Sequence, residues 1–202
     1  MHYLKTIVIT GLYSHLFFVF VFILMHFIRP DKSILASFVS EYAVGNYGWL
    51  MTTGFFSIAI GALCLIAGLL ITIKASKTAI TTLVIWCIGA FLFSIFTTDL
   101  PGETPTPQGL IHGLSALIAL FSLGIAIIAW GFTFNIINTW QHMAKISCLF
   151  GVTSAVVFIS FLLSPPSLRG LSERILIVWD ITWIILVSRQ LYIKLTQSTL
   201  TF

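Results

Sequence analysis

Six stretches of this chain are long and apolar enough to cross a bilayer, and they leave room for little else. They cover about residues 7–28, 47–73, 78–97, 108–132, 144–163 and 172–193. A helix rises about 1.5 Å per residue, so roughly 20 apolar residues span a hydrocarbon core of about 30 Å. Backbone groups in lipid must satisfy one another, and a helix does this within a single segment. The pattern predicts an all-α polytopic membrane protein, a bundle of six transmembrane helices forming one domain over residues 1–202. Composition agrees: 8% of residues are charged and the mean hydropathy is +1.07, against about 25% charged in a soluble domain. The first run is longer than a signal-peptide core and no small-residue cleavage site follows it, so it reads as a retained first helix.

Charge sets the expected orientation. The net charge of +4 does not point to nucleic acid, because the basic residues sit singly at the ends of apolar runs. With the N-terminus inside, the inner face carries Lys5, Lys74, Lys77, Lys145, Arg189 and Lys194, and the outer face Arg29, Lys32, Arg169 and Arg174. That bias places both termini in the cytoplasm. Cys64, Cys87 and Cys148 lie far apart inside apolar runs and read as small buried hydrophobes, not as a zinc site or disulfide framework. Gly54, Gly61 and Gly68 recur every seven residues, two turns of helix two, and predict a face for close helix packing. Gly109 and Gly113 read as a further small-residue seam in helix four.

The polar residues are few enough to place by depth. "FTTDLPGETPTPQGLIHG", residues 96–113, holds Asp99, Glu103 and His112 and no lysine or arginine. Its prolines tie the outer ends of helices three and four together, so Asp99 and His112 come to similar heights. His26 lies one turn before the outer end of helix one. Ser172, Glu173 and Arg174 open helix six, with Ser172 as a hydroxyl cap. Glu41 and Tyr42, in the first outer loop, can fold over this set. The candidate ligand contacts are therefore His26, Glu41, Asp99, His112, Glu173 and Arg174. Arg174 either locks Asp99 or holds a ligand. Were the protein an enzyme, Asp99 and His112 would be its acid–base pair. His15 and Asp180 each lie about 12 Å from opposite boundaries, which allows a pair near mid-membrane. Each residue also has a purely structural reading: a capped turn for Asp99, a backbone hydrogen bond for His112. No HxxxH, HExxH, CxxC or GxSxG pattern occurs, so no metal site is expected and no cofactor is assigned.

Three stretches, "SEYAVGNYGWLM" (40–51), the 96–113 segment and "GLSERILIVWDITWIILVSRQL" (170–191), carry a further signal. Their polar punctuation resembles the prokaryotic six-helix membrane proteins grouped as domain of unknown function 998. The resemblance points to Ser40, Asp99, Gly109, His112, Gly170, Arg174 and Trp183. It implies a fold, a set of positions and the prokaryotic cytoplasmic membrane, but no reaction.

The leading expectation is an integral membrane protein with an outward-facing polar pocket, built on Asp99, His112 and Arg174, that binds a lipid headgroup or small ligand. One alternative is a membrane lipid hydrolase or transferase using Asp99 and His112. Another is an accessory subunit of a larger membrane complex. The expected partners are membrane lipid and a membrane protein or second copy of the chain.

Overall fold

Each helix ends where the sequence changes character, and the ends set the architecture. A computed structural model of the protein describes residues 2–197. Six long helices follow one another: α1 His2–Ile28, α2 Gly48–Thr72, α3 Lys77–Ile95, α4 Pro107–Asn135, α5 Gln141–Leu163 and α6 Arg169–Gln197. Among the described residues there is no strand. Ser76 caps α3 by accepting the Ala79 N–H, and Thr106 caps α4 by accepting that of Gly109, with Pro107 at the first helical position. The expected Ser172 cap is absent. Helix α6 starts at Arg169, and the Ser172 hydroxyl donates back to the carbonyls of Leu168 and Arg169.

Five of these helices, α1 to α5, are long and apolar enough to cross a membrane. Helix α6 is as long as α4 but carries charges along its length. Large apolar side chains such as Phe27, Phe132 and Leu163 are exposed on the outside of the bundle, the surface a lipid-facing helix presents. Cys148 also faces outward, not into the core as expected, whereas Cys87 is buried and Cys64 half-buried.

The helices alternate in direction and close into a ring, each packing on its neighbours in sequence and α6 returning to α1. The glycines of α2 form the first seam. A Cβ at Gly54 would meet Val21 and Phe18, one at Gly61 the ring of His15, and one at Gly68 both Val8 of α1 and Leu191 of α6. Small residues here let backbones approach where larger ones would hold them apart. The seam between α5 and α6 is bolted by indole N–H groups. Trp183 Nε1 donates to Ser147 Oγ at 2.8 Å, and Trp179 Nε1 to the Phe150 carbonyl at 3.0 Å.

The two ends of the ring are filled differently. Near the α4–α5 connection, Trp130, Phe134 and Trp140 stack, the last two with ring centroids 4.8 Å apart. At the opposite end the α1–α2, α3–α4 and α5–α6 connections meet, and there the ring is hollow.

Candidate functional site

The α1–α2 connection, residues 29–47, is a strap fixed at both ends. Arg29, just past α1, pairs with both oxygens of Asp31 at 2.8 Å and donates to the carbonyls of Val44 and Asn46. The Arg29 guanidinium holds the exposed Asp31 carboxyl below its ordinary range. Glu41, a buried residue of the strap itself, accepts the Phe38 N–H and pairs with Lys32 at 3.3 Å.

Three contacts clamp the strap to the start of α6. Leu171 N–H donates to Leu35 O, Arg174 Nη1 donates to Ser37 O at 2.6 Å, and Val39 N–H donates to a Glu173 carboxyl oxygen at 2.6 Å. Gly170 makes the approach possible, because a Cβ there would collide with the Ser37 carbonyl. Arg174 is the hub. Its Nη1 also donates to Gly170 O, its Nε donates to His26 Nε2 at 2.9 Å, and its guanidinium carbon lies 5.4 Å from the Tyr42 ring centroid. Since His26 Nε2 accepts, the imidazole proton is on Nδ1, which donates to Phe22 O at 2.7 Å. Arg174 is thus held by an imidazole, two carbonyls and an aromatic face, and it makes no ion pair with Asp99.

The α3–α4 junction is a second closed unit. The Asp99 carboxylate accepts the Thr106 N–H at 2.8 Å and its hydroxyl at 2.7 Å. It lies flat against Gly109, where any Cβ would displace it. Gly109 therefore makes room for a carboxylate, and a Cβ at Gly113 would meet nothing within 4 Å. The pair is not the helix seam that its spacing suggests. Glu103 closes the turn between by accepting the Leu100 N–H at 3.0 Å. His112 is buried and its Nδ1 donates to the Phe96 carbonyl at 2.8 Å, which pins α4 to the end of α3 and leaves Nε2 as the second ring nitrogen. His112 and Asp99 are each bonded elsewhere and not to one another.

Thr106 holds the Asp99 carboxyl below its ordinary range, chiefly through its backbone N–H and then its hydroxyl. A carboxyl lowered on folding contributes stability above its ordinary pKa of about 4, and that contribution fades as pH falls through the folded value. The expected result is a thermal midpoint that declines on acidification below about pH 4. The Asp99→Asn chain should lose part of that decline. Melting curves of both chains in one detergent across this range check it, and superimposable acid profiles would refute it.

Between the strap, the α3–α4 junction and α6 lies a cavity of about 430 Å³, within the range of small-molecule sites. Its walls are mostly aromatic and aliphatic, with Phe18, Phe55, Trp86, Phe93, Leu120 and Phe161 among them. Ser40, Thr98, His112, Arg169, Glu173 and Asp180 supply the polar atoms. Of the residues expected to bind a ligand, His112 and Glu173 reach this cavity, whereas His26, Glu41, Asp99 and Arg174 are not among its lining residues.

Asp180 of α6 is 1% exposed, with neither carboxyl oxygen in a hydrogen bond. The Ser154 hydroxyl of α5 sits beside it but outside hydrogen-bond geometry. His15 is fully buried, packs 6.4 Å from the Trp86 ring, and has no hydrogen bond at either nitrogen. No bond or ion pair joins His15 to Asp180 among the described residues. Sequence reasoning placed Asp180 in a pair and missed it as a cavity residue. The available signal was its spacing of seven residues from Glu173, which puts both on one face of α6.

The family model described as "Protein of unknown function (DUF998)" matches residues 14–190. No curated protein and no solved structure matches the chain.

Proposed function

The chain belongs to the DUF998 family of proteins of unknown function, and on that premise we propose that it is a multi-pass membrane protein whose cavity binds one amphiphilic, lipid-like molecule. The observation that carries this is a cavity of about 430 Å³ with apolar walls interrupted by His112, Glu173 and Asp180. Apolar walls with a few convergent polar groups are the usual character of a ligand site. The apolar body of the ligand lies among Phe18, Phe55, Trp86 and Phe93. Its polar end meets the carboxyls of α6 and the Nε2 of His112. The strap covers the mouth through Val39 and Ser40. Asp99 and Arg174 hold the junction and the strap that shape the mouth.

The mouth opens to the outer face, with both termini in the cytoplasm. Charge supports this orientation. Lys5, Lys74, Lys77, Lys145, Arg189 and Lys194 stand at the other end, against Arg29, Lys32, Arg169 and Arg174 at the strap end. Of these, Arg29, Lys32 and Arg174 make bonds within the bundle, and Arg174 keeps its Nη2 buried and unbonded. The cytoplasmic end of a bundle is the one rich in lysine and arginine.

Gly113 offers the test, because it lines the cavity and a Cβ there would meet nothing within 4 Å. Native mass spectrometry of the chain in mild detergent is expected to show about one bound amphiphile per chain, lost from Gly113→Trp, at a tryptophan-sized reduction of free volume. Equal ligand retention by both chains would overturn the proposal. So would a chain that carries only a stoichiometric protein partner and takes up no added amphiphile.

A further inference from the structure

The cavity has an unmatched acidic wall. Asp180 and Glu173 stand two turns apart on one face of α6, separated by about 10 Å along its axis, and both line the cavity. Asp180 is 1% exposed, and both its oxygens lack a hydrogen-bond donor. The ion pairs among the described residues are Arg29–Asp31 and Lys32–Glu41, so no cationic side chain matches Asp180. A buried carboxylate in apolar surroundings is costly unless a cation or donors compensate it. The nearby hydroxyl of Ser154 does not complete a bond. Opposite, His112 has committed its Nδ1 hydrogen to Phe96 O and presents an acceptor at Nε2. The rest of the wall is rich in aromatic faces, Phe18, Trp86 and Phe93 among them, and such faces attract cations.

Resting on the cavity as a binding site, we propose that its ligand is a lipophilic amine, whose protonated nitrogen pairs with the Asp180 carboxylate while its apolar body fills the aromatic part of the cavity. Glu173 is the first acidic contact inside the mouth. One of its oxygens is held by the Val39 N–H of the strap, so this carboxyl joins the strap to the ligand's path. An amine supplies both things the Asp180 carboxylate lacks, a positive charge and several N–H donors. The competing ligand is an anionic amphiphile with its head on Arg169 at the rim. That arrangement leaves Asp180 unmatched and sets a second negative charge near Glu173, which is why the amine is favoured.

The experiment compares three probes that share one tail: decylamine, decanol and decanoate. Each is titrated into the full chain in mild nonionic detergent, with the fluorescence of Trp86 and the other tryptophans as readout. Decylamine is expected to bind at least about tenfold more tightly than decanol. Asp180→Asn, which keeps the side-chain shape, should remove that preference and leave decanol affinity unchanged. Glu173→Gln should weaken the amine in the same selective way, and it serves if Asp180→Asn does not fold. The head-group comparison in the unmodified chain needs no variant. Decanol binding as tightly as decylamine, or decanoate binding more tightly, overturns the amine assignment and leaves the cavity standing as a site. No binding of any probe, or binding that Gly113→Trp does not reduce, removes both.

Discussion

Replacing Arg174 with alanine is expected to loosen the strap and to lower stability by about 3–5 kcal/mol. The side chain donates to His26 Nε2, Ser37 O and Gly170 O. Hydrogen bonds from a charged donor contribute about 1.5–3 kcal/mol each, and acceptors left buried without a partner add a desolvation cost. Ser37 O and His26 Nε2 belong to separate segments, so one truncation removes a link from α6 to α1 and one of the three clamps on the strap, leaving Leu171–Leu35 and Val39–Glu173 to hold it. The loss of the Tyr42 contact adds to this. Arg174→Lys keeps the charge but cannot reach three acceptors in fork geometry, so it should fall between the two. Thermal unfolding in detergent measures the size of the effect. Limited proteolysis measures its location, since cleavage should appear first within residues 29–47. An Arg174→Ala chain that melts with the unmodified one and keeps its strap protected would contradict the assignment of Arg174 as the hub. His26→Ala removes one of the three acceptors and should cost less, because the two carbonyl bonds remain.

The sequence told height far better than direction. Six apolar runs with Pro, Gly and charged residues at their ends gave six helices at nearly the expected boundaries. The seven-residue glycine spacing in α2 gave a true seam, because a repeat of two turns fixes a face whatever the partner. The heights of Asp99, His112, Glu173 and Arg174 were likewise readable from their distance to the helix ends. Their partners were not. Asp99 and Arg174 come to the same end of the bundle, yet Asp99 turns back onto Thr106 and Gly109 while Arg174 turns to His26 and the strap. Which way a side chain points around its helix depends on rotation relative to neighbours, and those neighbours are distant in sequence. The same limit applies to His15 and Asp180, whose similar depths gave no information about azimuth. Gly109 and Gly113 looked like a helix seam because small residues four apart usually are one. Here a loop carboxylate occupies the first and the cavity adjoins the second, and no spacing rule distinguishes these cases.

Gly61→Ala is expected to be among the most destabilising single methyl additions in the chain, at about 2–3 kcal/mol, the upper range for overpacking a tight interior. A Cβ at Gly61 would lie 2.8 Å from two ring carbons of His15 and closer still to its Nε2. The imidazole has nowhere to retreat, since it is fully buried and Trp86 packs on it. The ring must change rotamer into filled space, or α1 must move away from α2 and disturb the contacts at Gly54 and Gly68 on the same seam. A double-mutant cycle separates these responses. His15→Ala removes the ring and should itself destabilise by leaving a cavity. In that background the extra methyl at position 61 has room and partly fills the void, so Gly61→Ala should become neutral or stabilising. Melting temperatures of the four chains in one detergent give the coupling, expected to exceed about 2 kcal/mol. Additive effects would mean that His15 is not what Gly61 makes room for. Decanol titration of the same four chains adds a functional reading. His15 is outside the cavity wall, so a cycle that changes stability while leaving decanol affinity in place assigns the α1–α2 seam to the scaffold and the hollow end of the ring to the site.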